Sequence, residues 1–206
     1  AVLVISYCWL AADHPDPKGH TLKTIGFVLR SFAEHAKRKY GDDCKVGVFW
    51  DYMSLPQRSR ECPHGEDDRT GHEMEVFRMG LHHINTWYAH PKTYVLLVNG
   101  ALPEDAISSQ PYDGRGWCCA ERAMASMVKS TYCLLDMSKL DGTETDCNDL
   151  VIKAAADRST TVVAPPAFRT WLLKGVDAGE IKFTKPTDAA LVADIYAKAF
   201  QSEFTI

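Results

Sequence analysis

A chain of 206 residues, 46% hydrophobic and 24% charged, has an ordinary globular composition and the length for one sizeable core, so a single domain spanning 1–206 is expected. The net charge is −4 and the one basic tract is Lys37-Arg38-Lys39, which is not the electrostatic footprint of a nucleic-acid binder; no apolar run is long enough for a membrane span. Seven cysteines, an odd number with two adjacent at Cys118 and Cys119, do not make the evenly paired framework of a small secreted domain, which points to a reducing, cytoplasmic compartment.

Residues 1–7, Ala-Val-Leu-Val-Ile-Ser-Tyr, form a nearly continuous apolar run rich in β-branched side chains, the pattern of a strand buried on both faces in a parallel sheet. Because the chain is inside this run from Ala1 onward, the expectation is a domain of a longer protein. Leu22, Ile25, Val28, Leu29, Phe32 and Ala36 then recur at helical spacing until Gly41-Asp42-Asp43 ends the run. The unit repeats. Val46 to Trp50 reads as a second buried strand, and Met74, Phe77, Leu81, Ile84 and Trp87 form a second helical stripe beyond a long polar loop. Tyr94 to Val98 is a third strand and Thr131 to Leu135 a fourth, with a helix between them beginning near Arg115. Further helices are expected over 146–156, from Pro165-Pro166 to Leu173 and over 187–202, with a short strand at 181–184. Such regular alternation of strand and helix implies a parallel α/β sheet of about five strands flanked by helices.

In this architecture the loops at the carboxyl ends of the strands converge on one edge, where ligands bind. The segments after Tyr7, after Trp50, after Val98 and before Glu121 belong to it. The pentapeptide Trp117-Cys118-Cys119-Ala120-Glu121 lies where a turn-rich tract, Pro111-Tyr112-Asp113-Gly114-Arg115-Gly116, becomes a helix with Asp113 as its expected N-cap. Helical spacing puts Trp117 and Glu121 on one face. A carboxylate beside an aromatic wall is suited to N-glycoside chemistry, because it can be tuned electrostatically and can reach a sugar hydroxyl below a flat leaving group. The plainer reading of Glu121 is a solvated first-turn glutamate interacting with the helix dipole.

Three stretches, in order, resemble the Toll/interleukin receptor (TIR) family. Val4-Ile5-Ser6-Tyr7 is similar to its first box; residues 48–56, from Val48 to Pro56, are similar to its second, with Asp51 closing the strand and Leu55-Pro56 in the so-called BB loop. Trp117-Cys118-x-x-Glu121 is similar to the helix motif that carries the glutamate of the NAD-cleaving members. The resemblance covers residues 1–136, and the chain departs from the family pattern in Pro56-Gln57 and in the insert from Arg58 to Gly71. It implies a doubly wound, flavodoxin-like sheet and cleavage of the nicotinamide–ribose bond of NAD to nicotinamide and ADP-ribose or its cyclic form. NAD is then the substrate and no further cofactor is needed. Glu121 would be catalytic by stabilising positive charge at the anomeric carbon, with Ser6, Tyr7, Trp9, Asp51 and Trp117 around the substrate. In an enzyme of this kind Glu121 should be reachable from solvent in an open pocket.

A TIR-type interaction module, assembling with itself or with other TIR-like domains through Leu55 and Pro56, is the alternative; a nucleoside deoxyribosyltransferase-like enzyme with a glutamate nucleophile is a second. Cys118 and Cys119 with His82, His83 or His90 could form a thiol nucleophile site, although free cysteines are usually buried as small apolar groups. Cys62, His64 and His72 are three candidate zinc ligands without a second well-spaced pair, so no metal is expected. Arg58, Arg60 and Arg69 are offset by Glu61, Glu66, Asp67 and Asp68, the composition of a solvated loop.

Overall fold

The structure is a computed structural model that describes residues 1–11, 14–59, 61–62, 66–157 and 162–204. Four parallel strands form one sheet, β1 (Val2–Tyr7), β2 (Gly47–Phe49), β3 (Tyr94–Val98) and β4 (Leu134–Asp136), in the order β2-β1-β3-β4. Val4 pairs with Phe49 on one side and with Val95 on the other, so β1 is central as its apolar run requires. The second strand is less buried than its sequence implies. It lies at the sheet edge and Val48 is exposed.

Alternation along the strands assigns the two faces. Leu3, Ile5, Leu96 and Leu135 pack against Ile25, Val28 and Phe32 of α1 (His20–Tyr40) and against Leu150 and Ala154 of α6 (Cys147–Ala154). On the opposite face Val4, Val95, Leu97 and Leu134 meet α4 (Ile84–Ala89), α5 (Gly116–Val128), α7 (Pro165–Asp177) and α8 (Asp188–Phe204). The result is a doubly wound, three-layer α/β fold of the flavodoxin-like kind. At the end of α1 Gly41, with φ of 96°, donates its N–H to the Lys37 carbonyl, a left-handed position that glycine takes without Cβ strain.

The sequence stripe from Met74 to Trp87 is not one helix. It divides at His83 into α3 (Gly71–His82) and α4, and α3 opens with a capping box in which Thr70 and Glu73 each accept the other's backbone N–H. A one-turn helix, α2 (Asp51–Ser54), follows β2 directly.

The expected fifth strand is absent among the described residues. Ile181-Lys182-Phe183-Thr184 makes a single bridge, Lys182 with Arg115, ahead of α5. Two physical causes keep it from the sheet. The free edge of β4 is taken by 155–156, where the Ala156 N–H donates to the Leu134 carbonyl. The Phe183 ring lies where a Cβ on Gly116 would be, so the segment is docked on the start of α5. Among the described residues no helix is long and apolar enough to cross a membrane.

Candidate functional site

Glu121 sits on the second turn of α5, facing the carboxyl end of β1, and is only 7% exposed. It is therefore not a solvated first-turn glutamate. The Ser6 hydroxyl donates to its Oε2 at 2.6 Å. With its single proton committed there, Ser6 accepts from the Tyr112 hydroxyl, also at 2.6 Å, giving a chain from Tyr112 through Ser6 to Glu121. Tyr88 of α4, fully buried, donates to the Ile5 carbonyl at 3.1 Å and lies beside the same carboxyl. Burial raises the Glu121 pKa to about 8 against the opposing Ser6 hydrogen bond, so at neutral pH the folded chain holds a mostly protonated acid.

The strand pleat separates the other residues expected at the site. Tyr7 follows Ser6 and points to the α1 face, where its hydroxyl donates to Asp51 Oδ1 at 2.9 Å and its ring meets Trp50 edge-on. Trp9 Nε1–H reaches Asp51 Oδ2 at 3.4 Å, and the Tyr52 N–H donates to Asp51 Oδ1. Burial pushes the Asp51 carboxyl upward although all three donors favour its charged form. Ser6 and Glu121 thus make one cluster and Tyr7, Trp9 and Asp51 another, around the same strand end.

Trp117 is directed elsewhere. Its Nε1–H donates to Asp188 Oδ2 at the start of α8, 3.0 Å away, so it braces α5 against α8. Asp113 does not cap α5. The helix starts after Arg115 with no side-chain cap, because Tyr112–Gly114 forms a 3-10 turn and Asp113 pairs instead with Arg122 at 2.9 Å. Leu55 is half-buried against α3, where it occupies the space a Cβ on Gly80 would need, and the Pro56 carbonyl accepts from Arg69 at 3.3 Å. The loop residues expected to mediate assembly are anchored to the domain itself.

The cysteines are all free thiols. Cys118 is buried and its Sγ–H donates to the Tyr7 carbonyl at 3.3 Å. Contact with the Cys8 thiol first, and then burial, holds the Cys118 thiol well above its ordinary pKa; burial takes that of Cys119 to about 12. Neither thiol is shifted toward the thiolate; Cys118 is buried as the small-apolar reading expects, whereas Cys119 is half-buried. Among the described residues no group of three His, Cys, Asp or Glu side chains is placed to hold a metal; His64, part of the zinc reading, and Arg60 of the insert lie outside the described residues.

A cavity of about 90 Å³ opens at the carboxyl ends of β1 and β3, lined by Cys8, His20, Thr24, Gly100 and Met137 among others. A second, of about 270 Å³, adjoins it at Thr24 and Met137 and extends toward Leu140. Pockets for small ligands typically hold about 300–1,000 Å³, and Glu121 lines neither cavity. In this conformation the expected open pocket at Glu121 is closed.

Sequence reasoning missed Tyr112, Tyr88 and Arg115. Tyr112 lies in a tract dominated by turn formers, and its one signal was a large aromatic among them. Tyr88, four residues after Ile84, carried the helical spacing of a core residue and nothing more. No protein-family model, no curated protein and no solved structure matches the chain.

Proposed function

We propose that the chain is a TIR-like NAD nucleosidase acting in signalling or defence in the cytoplasm, with Glu121 as the catalytic carboxylate. The observation that carries this reading is the buried Glu121–Ser6–Tyr112 chain at the carboxyl end of the central strand. A glutamate held so far from its solution pKa destabilises a fold, and groups perturbed in this way concentrate at functional sites. Asp51, also raised by burial, stands at the end of the adjacent strand.

Cleavage breaks the bond between the ribose anomeric carbon and the nicotinamide nitrogen. Nicotinamide leaves with the bonding pair, and water, losing a proton, completes ADP-ribose. The electron-deficient sugar needs a carboxylate beside it, so the neutral Glu121 of the closed form is a resting state. Hydration on opening would return its pKa toward the ordinary range and charge it for the reaction. Ser6 stands beside Glu121, and Tyr7, Trp9 and Asp51 at the same strand end are the next candidates to meet substrate once the site opens, whereas Trp117, engaged by Asp188, would have to turn to reach it.

The test is incubation of wild type and Glu121→Ala with NAD, following nicotinamide and ADP-ribose species by chromatography. Release that depends on Glu121 supports the reading, and release retained in the variant removes Glu121 from the mechanism.

The closed carboxyl favours a second reading, a TIR-type module that assembles with itself or with other TIR-like domains without turnover. Met53, 74% exposed on α2 two residues before Leu55, offers it an apolar contact. Absence of nicotinamide release at high protein concentration, together with concentration-dependent association, would move the assignment there.

A further inference from the structure

Tyr112, whose hydroxyl meets the Ser6 hydroxyl that serves Glu121, belongs to the connection between β3 and α5. Residues 99–111 contain no helix or strand, and an irregular connection longer than about 12 residues is uncommon unless it acts as a lid or binding loop. Its packing is thin, for Ile107 is 81% exposed, and it is held mainly by polar contacts. The Ile107 and Ser108 N–H groups both donate to the Leu10 carbonyl of the loop after β1. Gln110 Nε2 donates to the Gly114 and Glu180 carbonyls.

Arg115 joins these parts. Its Nη1 donates to the Trp9 carbonyl at 2.6 Å, its Nε to the Gln110 carbonyl at 2.8 Å and its Nη2 to Ser108 Oγ at 3.1 Å. All three acceptors are neutral, so a permanent cation is engaged in tying two loops together. Between Gln110 and Arg115 the chain makes the 3-10 turn that presses Tyr112 onto Ser6.

We infer that the β3–α5 connection is a releasable plug, latched by Arg115, in which the Tyr112 hydroxyl occupies the place beside Ser6 and Glu121 that a substrate hydroxyl takes when the plug lifts. The inference rests on the NAD reading for its purpose, while the motion itself can be measured without turnover. Opening is local, because the hydrogen bonds that hold the connection can break while the sheet and α5 stay intact.

Two buried thiols report on this. Cys118 is 3% exposed next to Tyr112 and the Tyr7 carbonyl, and Cys147 is 4% exposed on the opposite face of the sheet at the start of α6. The full chain and the variants Arg115→Gln and Gln110→Ala are pulsed with N-ethylmaleimide under native conditions, and each cysteine is quantified by mass spectrometry. Labelling of Cys118 should rise about tenfold or more in Arg115→Gln while Cys147 stays at the wild-type rate, as expected for a local opening. Gln110→Ala should give a smaller change of the same kind and serves as the reporter if Arg115→Gln does not fold. Unchanged Cys118 labelling, or an equal rise at both thiols, overturns the plug. Selective Cys118 labelling without nicotinamide release from any form would uphold the plug and count against the NAD reading.

Discussion

Ser6 and Tyr7 are consecutive residues of β1 whose hydroxyls serve opposite sides of the sheet, the first donating to Glu121 at 2.6 Å and the second to Asp51 at 2.9 Å. One strand end therefore serves two carboxyls, the buried Glu121 and the half-buried Asp51, through two separate hydrogen bonds. Each has consequences that solution measurements can reach.

Glu121→Gln should change how stability depends on pH. The folded pKa is raised from 4.5 to about 8, so between those values the folded chain binds the extra proton and wild-type stability falls as pH rises. For a shift of this size the loss is on the order of 5 kcal/mol at most. Urea unfolding at pH 5, 6 and 7, below the range in which Lys129 titrates, should show a declining wild-type series and a flatter Glu121→Gln series. Parallel slopes in the two proteins would show that the carboxyl is not the group titrating.

Lys129→Met tests the opposite limb. Lys129 is fully buried and donates to the carbonyls of His90 and Thr93 and to Thr93 Oγ1, and burial lowers its pKa from 10.5 to about 8. For a lysine depressed in this way the unfolded chain binds more protons between 8 and 10.5, so stability rises with pH there. Glu121 and Lys129 together should place a stability minimum near pH 8, with Lys129→Met lacking the rising limb. That variant should also lose about 2–4 kcal/mol at pH 7 by leaving buried acceptors unpaired, measured by the same unfolding series.

Tyr7→Phe removes one donor from Asp51 and should destabilise the chain by about 1–2 kcal/mol at pH 7. In a double-mutant cycle Tyr7→Phe and Asp51→Asn should couple, whereas Tyr7→Phe and Ser6→Ala, which share no partner, should add to within about 0.5 kcal/mol. Strong coupling in the second cycle would mean that the two clusters act as one.

Leu55→Ala opens the space that Leu55 fills over Gly80 and should lower stability by about 1 kcal/mol, in proportion to the apolar area of a half-buried side chain. Weaker self-association in sedimentation velocity would extend the role of Leu55 to assembly. A lowered unfolding midpoint with unchanged association would confine it to packing.

Much of this molecule is written in local periodicity. The β-branched run of β1, the Ile25-Val28-Phe32-Ala36 stripe of α1 and the Pro165-Pro166 start of α7 each carry their structure within a few residues, and each forms as expected. The same alternation placed Glu121 at the carboxyl edge of a parallel sheet. The local signal failed where a distant group competed with it. The segment 181–184 has strand composition, but the β4 edge was already bonded to Ala156 and Phe183 found a seat over Gly116. Trp117 has the helical spacing of a neighbour of Glu121, yet its indole N–H is engaged by Asp188, 71 positions along the chain.

By itself the sequence determined the β/α alternation, the central strand, the span of most helices and the edge on which a site would lie, because hydrophobic period and turn chemistry act over a few residues. Only the tertiary structure decided that Ser6 serves Glu121 while Tyr7 serves Asp51, that Trp117 turns to α8 and that Tyr112 reaches Ser6. Those outcomes depend on which polar group comes within hydrogen-bond distance after the layers pack, and burial then moves the Glu121 pKa to about 8, a property no local pattern encodes.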